Sequence, residues 1–166
     1  MKSELHSSWR ATDRILVFIV ILCTVAIGGS IVWAKTAHQK HDYAAGDLFE
    51  PLPGLDASAS GRTLVMWIDS RCNICTDSMP LYKSILSLPR RVSVVAAGRQ
   101  PTDVLIDYLN SFGVRPDKVI SIGDSPTRLG AVPALILLNG QRRVEHAWMG
   151  RIQDTTARTA LIRNLQ

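Results

Sequence analysis

The chain has 166 residues, of which 46% are hydrophobic, and a formal net charge of +5 at pH 7. This composition excludes a disordered protein, and the length allows one domain of ordinary size plus an appendage. The basic excess is concentrated in residues 1–40, which hold five Lys or Arg against two Asp or Glu, and no basic stripe with interleaved aromatic residues follows, so we reject nucleic-acid binding as a main function.

Residues 15–34 contain no charged residue, and we predict that they form a transmembrane anchor, or an uncleaved signal. A helix of this length rises about 30 Å, which is the thickness of a bilayer's hydrocarbon core. A cleaved signal peptide is the main alternative, but the apolar run is long for one. More Lys and Arg precede the run than closely follow it, which places residues 1–14 in the cytoplasm. Residues 35–50 are predicted to be a polar linker.

Cys72 and Cys75 are the most reactive pair of side chains in the sequence. An apolar run at 63–68 predicts a strand, the turn-like residues 69–71 follow it, and residues 76–88 are compatible with a helix. Two thiols at this spacing, at the start of a helix, are typical of a redox site. Helix N-termini stabilise negative charge, so we hypothesise that Cys72 is the nucleophile and that Cys75 resolves the mixed disulfide.

Other interpretations of this cysteine pair are a structural disulfide or half of a zinc site. No second CxxC and no Cys/His pair at ligand spacing completes a set of four ligands. A copper site with His146 as third ligand is weak, because this histidine falls in a predicted hairpin strand. We therefore predict no metal, and no cofactor besides the redox-active disulfide itself.

The rest of the chain alternates between strand and helix patterns. The predicted elements are a strand at 91–97, a helix beginning at Pro101, strands at 119–122, 134–138 and 142–148, and a helix at 152–165. Asn139-Gly140 predicts a tight hairpin turn, because both residues tolerate positive φ. After Pro101 the apolar residues recur at helical spacing, and they are Val104, Leu105, Tyr108, Leu109 and Phe112. The predicted fold class is α/β, a mixed sheet flanked by helices on both faces.

Several of these residues match positions that are typical of the thioredoxin superfamily, which the chain resembles. Pro80 stands five positions after Cys75, as does the proline that kinks the thioredoxin active-site helix, and Val132-Pro133 before a strand resembles the cis-proline that faces the CxxC. The stretch between Ala97 and Pro133 resembles the insertion of TlpA-like and ResA-like thiol-disulfide oxidoreductases, which usually carry one N-terminal membrane anchor. The resemblance implies a thioredoxin-like domain over residues 51–166, with substrate lying alongside Val132 and Pro133.

Some positions depart from the family pattern. Arg71 replaces the tryptophan that precedes the first cysteine, and Met66 stands where thioredoxins carry a buried acid. Asn73 and Ile74 match neither the Gly-Pro of thioredoxin nor the Pro-His of strong oxidants. We treat Arg71, Asn73 and Ile74 as modulating residues, with Arg71 as a candidate cation beside Cys72.

The resulting functional prediction is a membrane-anchored thiol-disulfide oxidoreductase of the bacterial inner membrane, with its catalytic domain facing the periplasm. It would reduce or isomerise disulfides in exported proteins and be served by a redox-donor partner. The alternative is a thioredoxin-fold scaffold subunit of an envelope assembly, such as a secretion or conjugation apparatus, with secondary or no redox activity. The oligomeric state is left open.

Overall fold

The computed structural model describes residues 43–55 and 61–166, together with Ile21 alone. The predicted cytoplasmic tail, the rest of the predicted anchor at 15–34 and the first part of the linker lie outside the described residues. Within the described residues, no helix combines the length and the apolar character needed to cross a membrane.

Within the described part of the chain, five strands form one mixed sheet. They are β1 (Arg62–Trp67), β2 (Val92–Gly98), β3 (Lys118–Ser121), β4 (Ala134–Leu138) and β5 (Val144–Met149), arranged in the order β3-β2-β1-β4-β5. β2 is parallel to both β1 and β3, and β4 is antiparallel to both β1 and β5. The apolar runs in β1, β2 and β4 are buried on both faces, as expected for central strands. The predicted strands are confirmed to within one or two residues.

Three helices in the described region pack on a single face of this sheet: α1 (Asn73–Ser87), α2 (Thr102–Ser111) and α3 (Thr155–Leu165). Their buried residues share one core with alternate residues of the strands: Met79, Tyr82, Ile85, Leu105, Leu109, Leu161 and Leu165 with Leu64, Met66, Val94, Ala96, Leu135 and Leu137. The crossovers β1 to β2 and β2 to β3 step in the same direction across the sheet, so right-handed connections place α1 and α2 on the same side. The mixed sheet with flanking helices is confirmed, but among the described residues no helix packs on the second face, where helices were also predicted.

The opposite face is covered by two irregular segments, residues 43–52 and 122–133. Tyr43, Phe49 and Leu129 are buried there against residues of β1, β2 and β4. Segment 43–52 is also tied to the hairpin, because Phe49 N–H donates to Arg142 O at 2.8 Å. The folded domain therefore begins before residue 51, and the end of the predicted linker is part of the core.

The β4–β5 hairpin is confirmed, but its turn differs from the prediction. Arg142 N–H donates to Asn139 O at 3.0 Å, which closes a four-residue turn. The residue with left-handed backbone is Arg142, with φ of +57°, and neither Asn139 nor Gly140 has positive φ. The connection is a three-residue loop instead of a two-residue turn.

Candidate redox site

Cys72 is the N-cap residue of α1. Its backbone is extended (φ −92°, ψ 112°), and its Sγ accepts a hydrogen bond from Cys75 N–H at 3.3 Å. Its carbonyl oxygen accepts from Thr76 N–H at 3.1 Å, and its own N–H donates to Asp69 O at 3.1 Å. The turn after β1 thus aims this sulfur at the unpaired N–H groups of the helix start, which stabilise a thiolate.

Cys75 lies one helical turn further along and is fully buried, whereas Cys72 is half-buried. Both are free thiols. Burial raises the pKa of the Cys75 thiol to about 12, so Cys75 is protonated at neutral pH. The pair therefore consists of one accessible sulfur at a helix terminus and one shielded, neutral thiol. This asymmetry suits an attacking and a resolving cysteine.

Val132 and Pro133 are brought against this pair from the loop before β4. The peptide bond between them is cis. The Cys72 thiol donates to Val132 O across a sulfur-to-oxygen distance of 3.8 Å. Pro133 is buried, and its carbonyl oxygen accepts from Gly150 N–H at 2.7 Å. The structure thus places the half-buried Val132 backbone beside the accessible sulfur.

Arg71 is engaged by Asp69. Its side chain is 81% exposed, with its guanidinium 3.3 Å from the Asp69 carboxylate, and its N–H donates to Asp69 Oδ1 at 2.8 Å. Gln100 Nε2 donates to the same oxygen. Burial favours protonation of Asp69, but the hydrogen bonds from Arg71 and Gln100 outweigh it, so the pKa of this carboxyl is lowered. Asp69 therefore stays ionised and holds the turn before Cys72, with the Arg71 cation paired to it.

Asn73 and Ile74 form the exposed first turn of α1, and Ile74 is 47% exposed. A residue outside the predicted site also lies close by. The Tyr108 hydroxyl, on α2, is 3.0 Å from Thr76 Oγ1 on the next turn of α1. The sequence indicates only that Tyr108 occupies one side of a helix, and the contact depends on how α2 packs beside α1.

No cluster of three or more His, Cys, Asp or Glu side chains suited to a metal ion occurs among the described residues. His146, the third ligand in the copper alternative, lies in β5 with its ring stacked on Trp148 at a centroid distance of 5.5 Å. The reactive groups that the structure brings together at this site are the two thiols.

No family profile matches the sequence, and neither does any curated protein sequence. Solved structures do match. A thiol-disulfide isomerase from Corynebacterium glutamicum superposes with a TM-score of 0.51 at 17% identity, over 75% of this chain and 93% of the other. A secreted disulfide oxidoreductase from Mycobacterium tuberculosis gives 0.52 at 10% identity, over 63% and 82% of the two chains. A peroxiredoxin-like protein from Aquifex aeolicus gives 0.56 at 10% identity, over 75% and 89%. At these identities the likeness establishes the fold, which is thioredoxin-like.

Proposed function

We propose that this protein is a membrane-anchored thiol-disulfide oxidoreductase of the bacterial inner membrane. Its domain faces the periplasm and reduces or isomerises disulfides of exported proteins through Cys72 and Cys75. One observation carries the proposal: the accessible Cys72 sulfur caps α1, 3.8 Å from Val132 O, above a buried second thiol. The names of two structural neighbours, an isomerase and an oxidoreductase of disulfides, support the same reaction class.

The reaction begins when the Cys72 thiolate attacks one sulfur of a substrate disulfide. A bond forms between Cys72 and that sulfur, the substrate's own S–S bond breaks, and the other substrate sulfur leaves as a thiolate. Cys75 then attacks Cys72 Sγ, and its proton passes to the departing thiolate. The Cys72–Cys75 disulfide forms as the mixed disulfide breaks, so two electrons move from the cysteine pair to the substrate. A dithiol donor protein returns the pair to the reduced state.

Val132 and Pro133 provide the surface on which the substrate chain lies. An extended substrate segment can pair with the backbone of Val132, whose carbonyl oxygen is already beside Cys72 Sγ. Pro133 has no N–H group, so it places no unpaired backbone donor next to the substrate. A disulfide held on this edge is presented to Cys72.

The proposed location rests on the sequence pattern of residues 15–34 and the basic residues around them. A reporter enzyme that is active only outside the cytoplasm, fused after residue 166, tests it. We expect activity from this fusion. Activity from a cytoplasm-only reporter at the same position would contradict the proposed orientation.

The reaction is tested with the full-length protein in an insulin-reduction assay driven by dithiothreitol. We expect Cys72→Ser to abolish the catalysed rate. Cys75→Ser, reduced and then freed of dithiothreitol, should accumulate a mixed disulfide with insulin that added dithiothreitol releases. Cys23→Ser, which changes the chain's third cysteine, is the matched control and should retain full activity. Full activity of Cys72→Ser would overturn the nucleophile assignment, and a wild-type protein without activity would favour the scaffold alternative.

A further inference from the structure

Glu50 binds the loop that carries Val132-Pro133. Its carboxylate accepts hydrogen bonds from the Thr127 hydroxyl and from Arg128 N–H, the latter at 2.9 and 3.0 Å from its two oxygens. Thr127 Oγ1 in turn accepts from Leu129 N–H at 3.0 Å. One carboxylate therefore organises three consecutive residues of this loop.

This loop depends on contacts from outside itself. Residues 126–132 form no helix or strand. Leu129 is buried and fixes the middle of the stretch from the core side, whereas Arg128 is exposed. The Glu50 carboxylate fixes the same stretch through its polar groups, and the bond to Arg128 N–H is of the stronger, charge-assisted kind.

Glu50 itself belongs to segment 43–52, which packs on the sheet. Its neighbour Phe49 is fully buried and hydrogen-bonded to the β4–β5 hairpin. A second contact grips the loop from the same segment, because the Arg128 guanidinium lies 3.7 Å from the Asp47 carboxylate and 4.8 Å from the centre of the Tyr43 ring. Segment 43–52 therefore contacts the loop at two points, through Glu50 and through Asp47 with Tyr43.

We propose that Glu50 is a positioning residue for protein substrates, which fixes the Val132 backbone beside Cys72 through the loop at 127–129. This inference rests on the proposed function. Cys72 caps α1 and packs against the core on the helical face, whereas Phe49 and Leu52, which flank Glu50, belong to the core on the other face. Loss of Glu50 is therefore expected to disturb the edge on which a polypeptide docks more than it disturbs the two thiols, which α1 holds in place.

The test compares a protein disulfide with a small one in the full-length protein. For Glu50→Ala and the nearly isosteric Thr127→Val, we expect the KM for insulin to rise about tenfold, because small misplacements of a docking surface are costly. The rate with hydroxyethyl disulfide, which needs no docking edge, should stay within about twofold of wild type. Glu50→Gln keeps one acceptor oxygen and should restore most of the insulin activity. Glu145→Ala is the matched control, since it removes another half-buried carboxylate, whose partner is the Arg62 guanidinium at 2.7 Å and not a residue of this loop.

An unchanged KM for insulin in both Glu50→Ala and Thr127→Val would overturn the proposal, and so would an equal loss with both disulfides. If Glu50→Ala fails to fold, Thr127→Val decides. Amide hydrogen exchange separates this inference from the proposed function. Faster exchange at Leu129 and Val132 in Thr127→Val, but not in Glu145→Ala, would show that Glu50 and Thr127 hold this loop. That result would stand even if the wild-type protein is inactive towards every disulfide. Unchanged exchange would contradict the inference.

Discussion

Cys72 and Cys75 are three residues apart, yet their surroundings give them opposite properties. The N-cap position leaves the Cys72 sulfur half-buried at the helix terminus, in contact with Cys75 N–H. The next turn carries Cys75 into the core beneath α1, where burial raises its pKa from 9.0 to about 12. Local helix geometry therefore exposes one sulfur and shields the other, and burial is the largest cause of the raised pKa of Cys75.

This asymmetry predicts selective alkylation of the reduced protein. Iodoacetamide at neutral pH should label Cys72 and leave Cys75 unmodified, because burial shields the Cys75 thiol and raises its pKa to about 12, which keeps it protonated. As the pH rises, labelling of Cys75 in the folded protein should keep accelerating beyond pH 9.0, the ordinary value, towards pH 12. Peptide mass spectrometry after timed quenching measures both rates.

Protein unfolded in urea is the control for this labelling, and there both cysteines should react alike. Equal labelling of the two thiols in the folded protein would show that Cys75 is not shielded. The Cys75→Ser variant gives the rate of Cys72 alone.

The sequence predicted the position of the thiol pair but not all of its surroundings. The strand, CxxC and helix order is local, so the placement of Cys72 at a helix start follows from a few neighbouring residues. The pairing of Arg71 with Asp69 does not follow, because the Arg71 side chain could equally have turned towards Cys72. Tyr108 reaches Thr76 only through the packing of two helices, which no local pattern encodes.

At the level of single elements, the β4–β5 hairpin shows how a side chain can override a turn preference. Asn139-Gly140 favours a two-residue turn with positive φ at both positions. In the structure Asn139 Oδ1 instead accepts from Gln141 N–H and Arg143 N–H, both at 2.9 Å. This side-chain cap places Asn139 at the first position of the turn and moves the left-handed residue to Arg142. The dipeptide was a correct signal for a hairpin and a wrong one for its geometry.

Arg142→Gly should therefore stabilise the protein. An L-residue in the left-handed region costs about 1–2 kcal/mol, and glycine avoids this cost while losing some backbone entropy. We expect a net gain of about 0.5–1 kcal/mol in the free energy of unfolding. The midpoint of urea unfolding, at an unchanged slope, measures it. Gln141→Gly is the matched control, since Gln141 has no positive φ and its replacement should be neutral or destabilising. A lower midpoint for Arg142→Gly than for Gln141→Gly would contradict the argument.

The helix α2 is another element whose pattern was only partly informative. Leu105 and Leu109 are buried, whereas Val104 is 41% and Phe112 37% exposed. The five apolar positions span a wider arc than the helix buries, and the stripe centred on Leu105 and Leu109 is the part that meets the sheet. Where a helix carries a broad apolar arc, its periodicity does not decide which edge of that arc stays at the surface.

For the whole molecule, the two faces of the sheet are covered by different means, and only one of them could be predicted. The helical face is encoded by residues at helical spacing in α1, α2 and α3. The other face is covered by segments 43–52 and 122–133, whose turn-rich sequences show no period and therefore favour a linker and a loop. Their isolated apolar residues can be identified as core residues only once the position of the sheet against which they pack is known.

Substitutions of Phe49 and its neighbour Leu48 test whether segment 43–52 is part of the fold. Phe49 is fully buried against the sheet, whereas Leu48 is 56% exposed. Phe49→Ala should lower the free energy of unfolding by about 3–5 kcal/mol, because it removes a large buried side chain and leaves a cavity. Leu48→Ala should change it by no more than about 0.5 kcal/mol, as is usual for surface positions. Both substitutions shorten apolar side chains at adjacent positions of the predicted linker. If the linker had no role in folding, urea unfolding would show an equally small change in the free energy of unfolding for both. A large difference between them would show that the folded domain includes Phe49 and that this part of the predicted linker contributes to its core.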